Sequence, residues 1–330
     1  MDIKHIVCCT DDNYAPYCGT MIFSLLANSK GKYCIHILIE SLNKENIEKL
    51  SFIALFHDTV IEFHEVDIAK LEHVKFRKKK PLSKAAYYRI LLASTLDESI
   101  DKVLYLDCDM IILKDVSYFF DLDLDGYALA AIRDLKVEPR IDEHRYQLSL
   151  PYDKCYFNSG LLVINLEYWR RFKVENQLIE FAERKRNVYF HDQDALNYLF
   201  KGKWLMLPPQ CCYINMCMYE QLYFENIRDF IKYKNDIKII HYASNEKPWH
   251  KLFFYSHKND FIKYYSQTPW KDKPLLIYKD ILDAYKRIVF VAIRNRLYQS
   301  PLIVKIIFDL ISFIISLCSL GKIKYLKWKV

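Results

Sequence analysis

Glycine is scarce, with 6 residues in 330. None of them forms a Gly-x-Gly-x-x-Gly turn or a Gly-rich loop ending in Lys-Ser or Lys-Thr. A dinucleotide-binding fingerprint and a P-loop are therefore both absent, because each needs glycines where the backbone closes on phosphates. The 10 cysteines include the adjacent pairs Cys8-Cys9 and Cys211-Cys212 but no Cys-x-x-Cys. That spacing argues against a zinc site and against a disulfide framework, and it suits a reducing cytoplasmic compartment. The chain does not open on an apolar core: Asp11 and Asp12 follow too soon for a signal peptide. No internal repeat or low-complexity stretch is visible.

What is present describes an ordered globular protein. Hydrophobic residues make up 52% and charged residues 27%, enough for a sizeable core. A chain of this length holds one large α/β domain with an appendage, or two domains. The net charge of +7 is uneven: residues 273–330 hold 11 basic and 3 acidic side chains, and the other 272 residues sum to −1. The basic character therefore belongs to the tail and speaks of the tail's partner.

Strand and helix signals alternate from the start. Strands are expected at 3–10, 33–39 and 60–66, with helices at 17–27 and 43–55. This rhythm predicts a mainly parallel sheet flanked by helices, with ligands bound beyond the carboxyl ends of the strands. The basic stretch 75–84 reads as a solvated loop, or as a flap over an anionic ligand. A helix is expected over 83–92, with Arg89 projecting from it. Further strands are expected at 128–133, 156–164 and 237–242, and helices at 174–186 and 192–199. No sharp boundary appears before residue 250. The tail has helical apolar spacing at 281–297 and a long apolar stretch at 301–320. Lys305 and Asp309 disfavour a membrane-spanning helix there, and 321–330 is basic and aromatic. Those features suit an anionic membrane surface; a helical hairpin packed on the core and a spanning helix are the alternatives.

The most informative stretch is Tyr105-Leu106-Asp107-Cys108-Asp109. Two carboxylates at i, i+2 in an apolar run share one side of a strand. Burying two like charges together is costly unless a cation neutralises them, so a divalent metal with hard oxygen ligands, holding an anion such as a diphosphate, is the direct resolution. The competing reading is a turn with solvated or capping aspartates. Four more clusters stand out: Asp11-Asp12-Asn13-Tyr14, Tyr156-Phe157-Asn158-Ser159-Gly160, His191-Asp192-Gln193-Asp194, and His241-Tyr242 followed by Lys247-Pro248-Trp249-His250. Singly, each has an ordinary structural explanation as a strand-ending turn, a backbone-satisfying Asn or a helix cap.

In this order, and spanning residues 5–250, the motifs Asp-Asp-Asn-Tyr, Tyr-Leu-Asp-x-Asp, Phe-Asn-Ser-Gly, Asp-Gln-Asp-x-Leu-Asn and His-Tyr-x-x-x-x-Lys-Pro-Trp resemble glycosyltransferase family 8. These are retaining GT-A enzymes that include bacterial lipopolysaccharide galactosyl- and glucosyltransferases. The resemblance implies a GT-A catalytic domain over 1–250, an α/β fold with a mixed, mainly parallel sheet; the composition of the tail adds the expectation of a C-terminal helical region over 251–330 that attaches to a membrane surface. The resemblance also implies Mn²⁺, or Mg²⁺ in its place, on Asp107, Asp109 and His241, bridging the phosphates of a UDP-sugar. It implies that Asp11 and Asn13 contact uridine and ribose, that Tyr14 stacks near the nucleotide or acceptor, and that Lys247 neutralises the leaving diphosphate. Arg89, Asp134, Asn158, Asp192 and Gln193 are implied to grip the donor hexose, with Asp192, Gln193 and Lys247 as the catalytic group. One departure stands out: Ser244 occupies a position where the family usually has Gly.

The expected activity is metal-dependent transfer of glucose or galactose, with retention, from a UDP-hexose to lipopolysaccharide or another lipid-linked oligosaccharide. The enzyme is expected in the cytoplasm, peripherally attached to the inner face of the cytoplasmic membrane, with no nucleic-acid partner. Three other readings stand beside it. A haloacid-dehalogenase-type phosphotransferase also ends an apolar strand in Asp-x-Asp, but near its start and followed by Thr or Val, where this chain has Met110. A non-catalytic glycan- or membrane-binding protein and a self-glucosylating primer are the others.

Overall fold

A computed structural model of the chain describes residues 3–55, 57, 59–74, 84–134, 141–151, 153–184, 189–214, 227–243, 247–251 and 257–276. The basic stretch at 75–83, the segment following Asp134, Ser244 and the tail from 277 onward lie outside these residues. The described residues up to Lys247, together with Asn259–Pro274, form one compact unit; those at 248–251, 257–258, 275 and 276 fall to a second.

Ten strands are described: β1 (Lys4–Cys9), β2 (Tyr33–Ile39), β3 (Val60–Glu65), β4 (Lys102–Leu106), β5 (Met110–Ile112), β6 (Leu129–Arg133), β7 (Phe157–Asn165), β8 (Leu205–Met206), β9 (Tyr213–Ile214) and β10 (Ile239–His241). The helices are α1 (Ala15–Asn28), α2 (Lys44–Leu55), α3 (Ala85–Tyr88), α4 (Leu92–Thr95), α5 (Ile141–Leu148), α6 (Leu166–Arg171), α7 (Val174–Arg184), α8 (His191–Leu199), α9 (Ile227–Asn235) and α10 (Lys258–Tyr265). Seven strands form one sheet in the order β3-β2-β1-β4-β7-β6-β8. β1 pairs in parallel with β2 and β4, β2 with β3, and β6 with β8. Only β7 runs against its neighbours β4 and β6. The expected mixed, mainly parallel α/β sheet is what the chain builds. β2 is buried at every residue, as a strand covered on both faces must be, and its near-continuous apolar run reflects that.

Two expectations need correction. β4 ends at Leu106, and Asp107-Cys108-Asp109 is a turn rather than strand. The chain then enters β5, which belongs to a separate sheet in the order β5-β10-β9. The last tie to the large sheet is the Asp107 amide donating to the Gly160 carbonyl at 2.9 Å. Within this turn Cys108 is buried, and its thiol donates to the Cys9 carbonyl at 3.1 Å. The second correction concerns 83–92. α3 tightens into a 3₁₀ turn over Arg89–Leu91 before α4 resumes. The Arg89 side chain is buried at 4% exposure rather than projecting, and Nε donates back to the Ala86 carbonyl at 2.9 Å.

α1 carries Pro16 in its first turn, where proline's missing amide costs nothing. Its Gly19 lies flat against the Trp270 ring, and a methyl group there would overlap it. Trp270 is itself fixed by donating from Nε1 to Asn46 Oδ1 at 3.2 Å. Gly19→Ala is therefore expected to destabilise the fold by about 1–3 kcal/mol, the usual cost of overpacking. A thermal unfolding curve for the variant that overlays the wild type would contradict this packing.

Candidate active site

The carboxyl ends of β1 and β4 and the loop after β6 meet the amino end of α8. At the centre is Arg89. Its Nη2 donates to Asp107 Oδ1 at 2.8 Å, its Nη1 to the Ser159 carbonyl at 2.5 Å, and its Nε lies 3.1 Å from Asp192 Oδ2. The guanidinium also stacks 4.4 Å from the centre of the Tyr105 ring, whose hydroxyl donates to Asp107 Oδ1 at 2.9 Å. A fully desolvated guanidinium is tolerated only when paired. The two carboxylates hold its pKa well above the usual arginine value against the opposing effect of burial.

His241 joins the aspartates through the small sheet. β10 runs antiparallel to β5 with His241 opposite Met110, and the Tyr242 amide donates to the Asp109 carbonyl at 3.0 Å. The ring is therefore delivered beside the turn: Nε2 lies 3.2 Å from Asp109 Oδ1 and 3.6 Å from Asp107 Oδ2. Asp107, Asp109 and His241 offer ligand atoms within 4.8 Å of one another. His241 is 3% exposed, and its Nδ1 has no hydrogen-bond partner among the described residues. Lys247 donates to Asp109 and, at 2.8 Å, to the Tyr242 carbonyl. Burial works to raise the Asp109 carboxyl, but Lys247 and His241 outweigh it and hold it well below the usual carboxylate range. Two carboxylates and a buried imidazole with an unused nitrogen fit a divalent cation.

The other half of the site is a network of neutral and acidic groups. Asn158 Nδ2 donates to Asp134 Oδ2 at 3.0 Å and to Gln193 Oε1 at 3.3 Å. Gln193 Nε2 donates to Asp134 Oδ2 at 3.1 Å, and its Oε1 accepts the Ser159 amide at 3.0 Å. Ser159 Oγ reaches Asp192 Oδ2 at 3.4 Å, which closes the circuit back to Arg89. The backbone makes this possible through an irregularity. Ala131 pairs with Leu162 but Ile132 pairs with Asn158, so Ser159–Leu161 bulge away from β6. Such bulges re-aim side chains. Asp192 is 3% exposed, and burial pushes its carboxyl up to about 6 despite the pull of Arg89.

The sequence-predicted residues fall out as follows. Asp107, Asp109, His241, Lys247, Arg89, Asp192, Gln193, Asn158 and Asp134 form one connected polar cluster. Tyr14 adjoins it: burial first, then the Asp109 carboxylate, raises its phenol. Asp11 Oδ1 accepts the Tyr14 amide at 2.9 Å, the strand-ending turn described above for this cluster, and Asn13 is exposed. The expected cap at α8 is not made, since its N-cap Phe190 carries no side-chain cap bond; Asp194 Oδ2 instead accepts the Tyr189 and Phe190 amides ahead of the helix at 2.7 and 2.9 Å. Sequence reasoning passed over Ser159, Gly160 and Tyr105. All three lay inside quoted motifs, but a backbone carbonyl, a missing side chain or a ring face gives no residue-type signal.

The sequence signature described as Glycosyl transferase family 8 matches residues 5–252. The chain belongs to this family. As a family 8 glycosyltransferase it is an enzyme, and it has relatives along most of its length. General stress protein A of Bacillus subtilis is 32% identical over 278 residues, covering 82% of this chain and 95% of its own. A lipopolysaccharide 1,2-glucosyltransferase of Escherichia coli K12 is 29% identical over 286 residues, covering 84% of this chain and 82% of its own. The crystal structure of galactosyltransferase LgtC, in complex with donor and acceptor sugar analogues, has a TM-score of 0.72 at 25% identity and covers 82% of this chain and 99% of LgtC. The architecture is that of GT-A glycosyltransferases.

Gly160 gives a test of the metal-site geometry. A Cβ there would overlap the His241 ring and stand 2.9 Å from Asp107 Oδ2. Gly160→Ala is expected to weaken Mn²⁺ binding by about 10–100-fold, as loss of a ligand-orienting neighbour does. Mn²⁺ titration of the folded variant with wild-type affinity would show that the three side chains do not act together.

Proposed function

We propose that this family 8 enzyme transfers glucose or galactose from a UDP-hexose to a glycan acceptor, with metal dependence and retention of the α configuration. The acceptor proposed is lipopolysaccharide or another lipid-linked oligosaccharide, in keeping with the lipopolysaccharide glucosyltransferases among its relatives. The observation that carries the proposal is the single polar circuit. It runs from a cluster of metal-ligating side chains at one end, through Arg89, to an amide-carboxylate pocket at the other.

Asp107, Asp109 and His241 hold the cation, Mn²⁺ or Mg²⁺. When bound, the cation supplies positive charge against the diphosphate. Lys247 sits at Asp109 and adds an ammonium where negative charge develops on the leaving group. Asp134, Asn158 and Arg89 bind the hexose hydroxyls. Asp192 places a carboxylate, and Gln193 an amide oxygen, toward the sugar, whose ring becomes positive as the bond to UDP breaks. Gln193 Oε1 already accepts the Ser159 amide, which fits a neutral, oriented dipole better than a nucleophile. The reaction is therefore proposed to proceed by same-face substitution without a covalent intermediate. One solved LgtC structure is of an active-site glutamine-to-glutamate mutant, so an active-site glutamine has a precedent in a similar protein. A glycosyl adduct trapped on Asp192 or Gln193 and seen by mass spectrometry would contradict same-face substitution. Asp11, Asn13 and Tyr14 are proposed to contact the nucleotide.

Residues 251–330 are proposed to attach the catalytic domain 1–250 to an anionic membrane on its cytoplasmic side, on the strength of the basic and apolar composition of the tail. No helix among the described residues is long and apolar enough to cross a membrane. Deletion of residues 277–330 is expected to abolish binding to anionic vesicles while leaving UDP-sugar turnover within about threefold, since surface attachment of this kind adds no catalytic group. A folded truncation that still binds vesicles, or that loses turnover, would refute this assignment.

UDP release from a panel of UDP-sugars tests the central reading. Turnover of one UDP-hexose in Mn²⁺, abolished by EDTA, is expected. Asp109→Ala and Lys247→Ala are each expected to lower it by at least about 100-fold, the usual loss when charge stabilisation is removed from a reacting centre. Turnover that persists in EDTA, or in both variants, would overturn the proposed roles.

A further inference from the structure

A second cluster of metal-ligating side chains lies away from the active site, at the β3 edge of the large sheet. Register puts His36 opposite Glu62 on adjacent parallel strands, and His64 lies two residues beyond Glu62. Side chains at i and i+2 share a face, so His36, Glu62 and His64 converge. The distances are 2.9 Å from His36 Nδ1 to His64 Nε2, 3.2 Å from His36 Nδ1 to Glu62 Oε2 and 3.6 Å from His64 Nε2 to Glu62 Oε2.

We propose that His36, His64 and Glu62 bind a divalent transition-metal ion of the Zn²⁺ type, clipping the edge strand β3 to β2. A triangle with these sides (2.9, 3.2 and 3.6 Å) has a circumscribed radius of about 1.9 Å, so an ion just out of its plane meets all three atoms at ~2.0–2.1 Å, the first-shell distance for zinc with nitrogen and carboxylate ligands. Two imidazoles and one carboxylate form a known zinc ligand set, and imidazole favours Zn²⁺ over Mg²⁺ or Ca²⁺.

The surroundings agree. A ligating histidine normally donates its other ring N–H to a neighbour, which fixes its orientation. With Nδ1 committed to the ion, His36 Nε2 donates to His5 Nδ1, 2.9 Å away on β1. His36 is 2% exposed, while the Glu62 and His64 side chains are 48% and 22% exposed. The ion would therefore be anchored from within and open to a water on the solvent side. His64 also lines an open groove of about 410 Å³ with Asp67, Lys70 and Ser94. The cysteine spacing that argued against zinc carries no information about histidines brought together from different strands.

The test uses the full chain, stripped with chelator, as wild type, His64→Ala and Glu62→Gln. Both substituted side chains are partly exposed and outside the active-site circuit, so folding and UDP release are expected to stay within about twofold of wild type. Zn²⁺ titration by equilibrium dialysis and Co²⁺ absorption spectra are the readouts. Wild type is expected to bind one more equivalent of Zn²⁺ than His64→Ala, and Glu62→Gln to bind that equivalent at least tenfold more weakly. The visible Co²⁺ band of a low-symmetry nitrogen-oxygen site should be lost in His64→Ala. Equal Zn²⁺ stoichiometry and affinity in all three proteins, or no Zn²⁺ retained by wild type, would overturn the proposal.

Discussion

The structure turns on one buried cation. Arg89 is held by Asp107 from the turn after β4, by Asp192 from the first turn of α8, by the Ser159 carbonyl of β7 and by the face of Tyr105. Three chain segments are pinned to one planar group whose donors have fixed directions. Removing a partner from such a group leaves an uncompensated buried charge, at a cost of about 3–5 kcal/mol.

A second constraint is the route of the chain at the carboxyl edge of the sheet. β4 leaves the large sheet at Leu106, turns through the two aspartates and joins β10 in the small sheet. The turn gives the carboxylates partial access to solvent, at 23% and 12% side-chain exposure, which a strand interior would not. The antiparallel register then delivers His241 to them. On the other side of Arg89, the bulge in β7 releases Ser159 from the β6 ladder beside Asn158, which still pairs with Ile132, and these two residues bond to Asp134 and Gln193. The two halves of the site are thus built by two departures from regular sheet.

Much of this was legible in the residues. Alternation of apolar strands with amphipathic helices gave the mainly parallel sheet, because period and burial are local properties. β2 falls at the expected residues, and α2, β6 and β7 fall within a residue or so of theirs. Asp107 and Asp109 were readable because two like charges in an apolar run demand an explanation. Their conformation was not, since Tyr-Leu-Asp-Cys-Asp suits a strand or a strand ending in a turn, and pairing with β10, more than 120 residues later, decides between them. Asp192 and Asp194 show the same limit. Residue type does not say which of them joins the active site, and the choice rests on Arg89 claiming one while Tyr156 and the Tyr189 and Phe190 amides claim the other.

By itself the sequence determined the family, the alternation of elements and the set of chemical groups available, because each is written in residue type and order. Only the tertiary structure decided which groups meet. Arg89 finds Asp107 and Asp192 at separations of 18 and 103 positions, and three histidines on three neighbouring strands line up across one face of the sheet. Such meetings depend on strand order, register and a bulge, which are settled by the packing of the whole core and leave no mark on the residues between.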